Sequence, residues 1–188
     1  MSQYKWFVVG CLVMILALFA TLAHAGKPTF LCVCLPPEAQ AQSTSKAALS
    51  GIEEAMSSVD MVPYSQHAVQ GMYDEFKRLS AGGMSKEMLK KFTRKHDVDM
   101  LLLYTPEVHL KRTGGDMDVA KIMLTETVVD GEDGTIIIEK KASWPIKVNT
   151  GETNIQNNFI SIRAMRSTGK ALTEKIMDAD AMLVRYFY

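Results

Sequence analysis

The side chains of this sequence that could do chemistry are few. Past residue 25 they are two cysteines spaced two apart, three scattered histidines and two pairs of acids. Cys32 and Cys34 could serve as a redox pair or as half of a metal site. Both lie in an apolar run, Thr29-Phe30-Leu31-Cys32-Val33-Cys34, that reads as a strand. Residues two apart in a strand project from the same face, which is poor geometry for bonding each other. Nothing at a recognisable spacing supplies further ligands, so both read as small apolar core residues. His67, His96 and His109 fall on an early helix, before a strand and on a strand's outward face, without metal-site spacing. Glu132 and Asp133 sit in the turn sequence Asp130-Gly131-Glu132-Asp133-Gly134, where acids serve the reversal. Asp116 and Asp118 read likewise as a turn and a strand edge. No phosphate loop, dinucleotide fingerprint, nucleophile elbow or zinc-protease motif is present. No cofactor and no metal is expected.

Residues 1–25 stand apart from the fold. Lys5 is their only charge, Trp6 to Leu22 is almost continuously apolar, and Ala23-His24-Ala25 before Gly26 has the small-x-small form of a secretory cleavage site. The apolar stretch is short for a membrane span, so the expectation is a signal peptide, with an uncleaved anchor as the other reading. Cys11 follows Val8-Val9-Gly10 as in a lipoprotein box, but most of the apolar region comes after it, so acylation there is rejected. Residues 26–188 then form a single domain long enough for a real core. Losing Lys5 leaves 20 basic residues against 21 acidic ones. With no basic stripe, nucleic acid is not a partner. The membrane is a partner only through the leader, if that is kept.

The elements can be read in order. The first strand ends at Pro36-Pro37, because proline cannot donate to a ladder. Thr44 or Ser45 caps a helix to about Val59, with Leu49, Ile52, Ala55 and Met56 on one face. Asp60 to Tyr64 is a short edge strand. Ser65 caps a helix carrying Val69, Met72, Tyr73, Phe76 and Leu79, and Ser85 caps another through Leu89 and Phe92, with basic residues in its last turns. Met100 to Tyr104 is a strand buried on both faces, and past Pro106 the pattern alternates. Met117 to Val129 follows, then a tight reversal into Thr135-Ile136-Ile137-Ile138 and a strand closing near Lys141. Trp144 to Val148 extends that strand or begins a loop. Asn154 to about Leu183 reads as one long amphipathic helix, with Ile155, Phe159, Ile162, Leu172 and Ile176 along its stripe and Gly169 as a weak point. The fold class is an α/β sandwich. It has one mixed sheet ending in an antiparallel three-strand meander, helices packed on it, and a long C-terminal helix.

This order resembles a known superfamily. Its marks are the Phe76 and Leu79 helix face, the lysine-rich helix leading to His96-Asp97-Val98-Asp99-Met100-Leu101-Leu102-Leu103, and the hairpin Val128-Val129-Asp130-Gly131-Glu132-Asp133-Gly134-Thr135-Ile136. Together they are similar to the TolB amino-terminal, CsgG and LpoB-like superfamily, from Thr29 to Lys175. Val98-Asp99 stands where that superfamily has an alanine-aspartate pair, Tyr104-Thr105-Pro106 replaces its following glycine, and the glycine before the pair is missing. The resemblance implies a periplasmic or outer-membrane-associated accessory protein that binds other proteins and catalyses nothing. It carries across no catalytic residues.

The functional expectation is therefore a non-enzymatic interaction domain in a cell-envelope assembly, with envelope proteins as partners and a homo-oligomer as a compatible state. A small-ligand or metal-binding protein, or a small enzyme using Cys32 and Cys34, is the alternative. Contact is expected on the meander's outward face at Glu107, His109 and Lys111, or at the aromatic cluster Tyr186, Phe187 and Tyr188, which otherwise reads as a helix end tucked against the core.

Overall fold

A computed structural model describes residues 27–59, 61–64, 66–151 and 154–179. The apolar run after Pro28 forms β1 (Thr29–Cys34), and the run after Asp99 opens β3 (Met100–Lys111). They pair in parallel, from Phe30 beside Met100 to Cys34 beside Tyr104. Parallel neighbours need a long crossover. Here it comprises α1 (Ser43–Ser58), the two-residue β2 (Val62–Pro63), α2 (Gln66–Ser80) and α3 (Lys86–His96). β3, β4 (Met117–Asp130) and β5 (Ile136–Asn149) then run as an antiparallel meander, and α4 (Phe159–Ala179) follows. The sheet order is β2-β1-β3-β4-β5. This is the expected mixed sheet with covering helices and a long last helix, in one domain.

Side-chain alternation gives the sheet two cores. Phe30, Cys32, Cys34, Leu102, Tyr104 and Leu124 pack under α1 and α4. Leu31, Val33, Leu101, Leu103 and Val129 pack on the other face under α2 and α3, where Phe76 and Phe92 meet edge to face at 5.1 Å. The apolar runs of β1 and β3 are thus explained by burial on both sides. Ser85 caps α3 as expected, its hydroxyl accepting from the Met88 amide at 3.2 Å. The acids of the β4–β5 turn also act as expected: Asp130 Oδ1 accepts from the Glu132 amide, and Asp133 Oδ1 from the Thr135 amide.

Several local expectations are corrected. Thr44 and Ser45 do not cap α1. Pro37–Ala41 forms a 3₁₀ turn that feeds the helix at Ser43, so both residues lie inside its first turn with their side chains buried. The last helix does not begin at Asn154: Ile155–Asn157 is a separate 3₁₀ turn, and Asn158 Oδ1 accepts the Ile160 amide, so the helix starts at Phe159. Phe159 is consequently off the buried stripe and 73% exposed. Of the two readings for Trp144 to Val148 the structure takes the first: β5 continues past Lys141 and through Pro145 to Asn149, which an edge strand permits because its outer amides have no ladder to join. Pro106 is likewise inside β3, just beyond Tyr104, where β1 has ended and only β4 flanks the strand. Asp118 is no exposed strand edge. It is fully buried, accepting from Arg112 Nη1 at 3.1 Å and the Thr113 amide at 2.9 Å, and pins the β3–β4 turn. Residues 1–25, Ser65 and Tyr186 to Tyr188 lie outside the described residues. Among the described residues no helix is long and apolar enough to cross a membrane.

Candidate functional site

Strand register assembles a polar row across the face that α1 and α4 cover. Cys34 sits beside Tyr104, Tyr104 beside Glu126, and Glu126 beside Lys140 at the sheet edge. Direct cross-strand neighbours share a face, so the row reaches from β1 to β5. Ser45 of α1 and Thr173 of α4 contribute buried hydroxyls to it. Burial pushes the Cys34 thiol up, only partly offset by the Ser45 and Tyr104 hydroxyls. Cys32 is raised further, by burial first and then by the Glu53 and Glu126 carboxylates. Both are free thiols held in their protonated, unreactive form.

Glu126 is the one fully buried glutamate among the described residues, and burial raises its pKa to about 8 against the hydrogen bond from Thr173. The Thr173 hydroxyl lies 2.9 Å from both Glu126 Oε2 and the Gly169 carbonyl. A hydroxyl has one proton to give. With Glu126 protonated, Thr173 donates to Gly169 and accepts from the carboxyl, so both contacts are satisfied. Glu126 Oε1 has no hydrogen-bond partner among the described residues.

The residues singled out in the sequence are not brought together. Cys32 and Cys34 are in the core, and among the described residues no histidine lies beside their thiols. His96 ends α3, with Nε2 3.1 Å from Glu75 Oε2 and its ring against Phe92 at 4.9 Å. His109 Nε2 lies 2.8 Å from Glu107 Oε2 on the opposite face of the sheet from α4. His67 lies in the first turn of α2, and its side chain is outside the described residues. Among the described residues no group of three or more His, Cys, Asp or Glu is placed to hold a metal. Sequence reasoning missed Ser45, Tyr104, Glu126 and Thr173. One signal was present: in the alternation Ala120, Ile122, Leu124, Glu126, Val128, the acid occupies an apolar position.

The row ends at an open groove of about 1000 Å³ between β5 and α4. Its β5 wall is the alternation Lys140, Ala142, Trp144, Ile146, and its α4 wall is Ile160, Ala164, Thr168, Leu172, at spacings of four. Trp144 is 64% exposed there.

No family model and no curated protein matches the chain. Solved structures do. The hypothetical protein CT253 from Chlamydia trachomatis is 14% identical, covering 82% of this chain and 99% of its own, with a TM-score of 0.50. Lipoprotein GNA1162 from Neisseria meningitidis is 15% identical over 81% of this chain and 99% of its own, with a TM-score of 0.48. The LpoB C-terminal domain from Salmonella enterica is 13% identical over 64% of this chain and 83% of its own, with a TM-score of 0.35. At a TM-score of 0.50 and 14% identity, the Chlamydia overlap shows a shared fold and nothing about activity.

Proposed function

We propose that this chain is a secreted accessory protein of the bacterial cell envelope, whose α/β domain binds other envelope proteins and catalyses nothing. The observation that carries this reading is the overhang of the meander. Pairing with β1 stops at Tyr104, yet β3 continues to Lys111 with β4 and β5 beside it. On the face away from α4 this overhang presents Glu107, His109, Lys111 and Lys121, with the His109 side chain 62% exposed. Long strands give a rigid surface, and rigid surfaces lose little entropy on docking. The element order and hairpin that resemble the TolB amino-terminal, CsgG and LpoB-like superfamily support the same reading. So does the leader, whose cleavage after Ala25 would leave residues 26–188 as the periplasmic domain, with outer-membrane association compatible. Tyr186, Phe187 and Tyr188 are the second proposed contact.

The test is capture of the tagged chain, made with its own leader, from its own envelope fraction, with intact mass on the recovered protein. We expect a mass beginning at Gly26 and an envelope partner in fixed ratio. The partner should be lost when Glu107, His109 and Lys111 are all changed to Ala, at unchanged melting temperature. A chain recovered alone with a bound metal, or a partner indifferent to the triple change, contradicts the reading.

A further inference from the structure

The groove between β5 and α4 has a lopsided charge. Its lining includes Lys140, Lys141, Arg163 and Lys175 and not one acid, in a chain whose charges balance overall. None of these four is in an ion pair among the described residues, whereas Arg166 and Lys170, on the side of α4 facing α1, both reach Glu54, at 3.2 and 2.7 Å. The uncompensated cations of α4 are thus on the groove side, beside exposed apolar surface. Such a combination fits an occupant that is apolar along its length and anionic at one end.

The ends of the groove differ. The hydrogen bond between Thr173 and Glu126, and the pairing of Glu126 with Lys140, bring the C-terminal half of α4 alongside Lys140 and Lys141. Lys175 therefore joins Lys140 at that end, while Lys141, paired with Thr125, touches the groove only along the strand edge and projects its side chain from the opposite face. α4 runs antiparallel to β5, so Ile160 lies toward Trp144 and Ile146, where Arg163 is the only lining cation. From Ile160 to Lys175 the helix advances about 22 Å.

Two other occupants fit less well. An added strand must pair with β5, but that edge carries Pro145 and lysines at 140, 141 and 147, which discourage strand addition. A second copy docking groove to groove would set Lys140, Arg163 and Lys175 against the same three cations.

We propose that the groove binds one single-chain anionic lipid, its acyl chain along Trp144, Ile146, Ile160 and Leu172 and its head at Lys140 and Lys175. The site goes beyond the partner-binding reading and uses the other face of the sheet.

The chain beginning at Gly26 suits the test, because every described core residue lies between Phe30 and Met177 and Trp144 is then its only tryptophan. The probe is cis-parinaric acid, a fatty acid whose polyene accepts energy from tryptophan, used below its micelle concentration. We expect saturable one-to-one quenching of Trp144. Lys140→Glu with Lys175→Glu should weaken it about tenfold, Arg163→Glu less, and the methyl ester of the probe should bind more weakly than the acid. Ala171→Phe, at an exposed position, should block binding without changing the melting temperature. The proposal is overturned by absent saturation, by equal binding of acid and ester, or by association only with vesicles of anionic phospholipid. It is equally overturned if sedimentation shows a dimer that Ala171→Phe dissociates while the probe never binds.

Discussion

Glu126 shows how one residue can set a solution property of the whole domain. Its ordinary pKa is 4.5 and in the fold it is pushed up to about 8 by burial. Between those two values folding takes up a proton, so stability falls as pH rises across this window and levels off above about 8. Glu126→Gln should flatten that slope and gain about 2 kcal/mol at pH 7, read by urea unfolding at pH 5, 7 and 8.5. A variant with the parent's slope would place the titration elsewhere. The neighbouring thiols make a second residue-scale expectation. Cys32 and Cys34 are buried and both are shifted away from the thiolate, so a disulfide reagent such as DTNB should label neither until the chain unfolds. Rapid labelling of the native protein would instead favour redox or metal chemistry at the pair.

Among the elements, α1 and α4 owe their close contact to two glycines. A methyl group at Gly51 would stand 2.1 Å from the Arg166 carbonyl oxygen, and one at Gly169 would stand 2.7 Å from that of Ala48. Alanine raises intrinsic helix propensity by up to about 1 kcal/mol, yet here backbone meets backbone and neither can yield. Gly51→Ala should therefore cost about 3 kcal/mol, seen as a lower urea midpoint at unchanged slope. A gain in stability would mean the helices do not touch there. In the sequence Gly169 reads only as a weakness in a helix, because propensity is local and the partner helix lies more than a hundred residues away. Element type and order were legible, since the periods of β1, β3 and the helices are set by which faces are buried. Boundaries were less so. Trp144 to Val148 reads equally as strand or loop until β5 is known to be an edge, and Asn154 looks like a helix start until Asn158 is seen to accept the Ile160 amide. The polar row was illegible for a similar reason: Cys34, Tyr104, Glu126 and Lys140 are neighbours only through strand register.

At the scale of the molecule, the two ends of the sheet do different work. Toward β1 it is sandwiched between helix pairs and buried on both faces; toward the tips of β3 and β4 one face is left to solvent. This uncovered face is the proposed surface on which an envelope partner docks. The most direct test places a photo-crosslinking amino acid at His109 and, as a control, at Glu87 on exposed α3, in cells carrying the chain with its own leader. One discrete crosslinked envelope protein is expected from position 109 and none from position 87. No product at 109, or the same products at both positions, would contradict it.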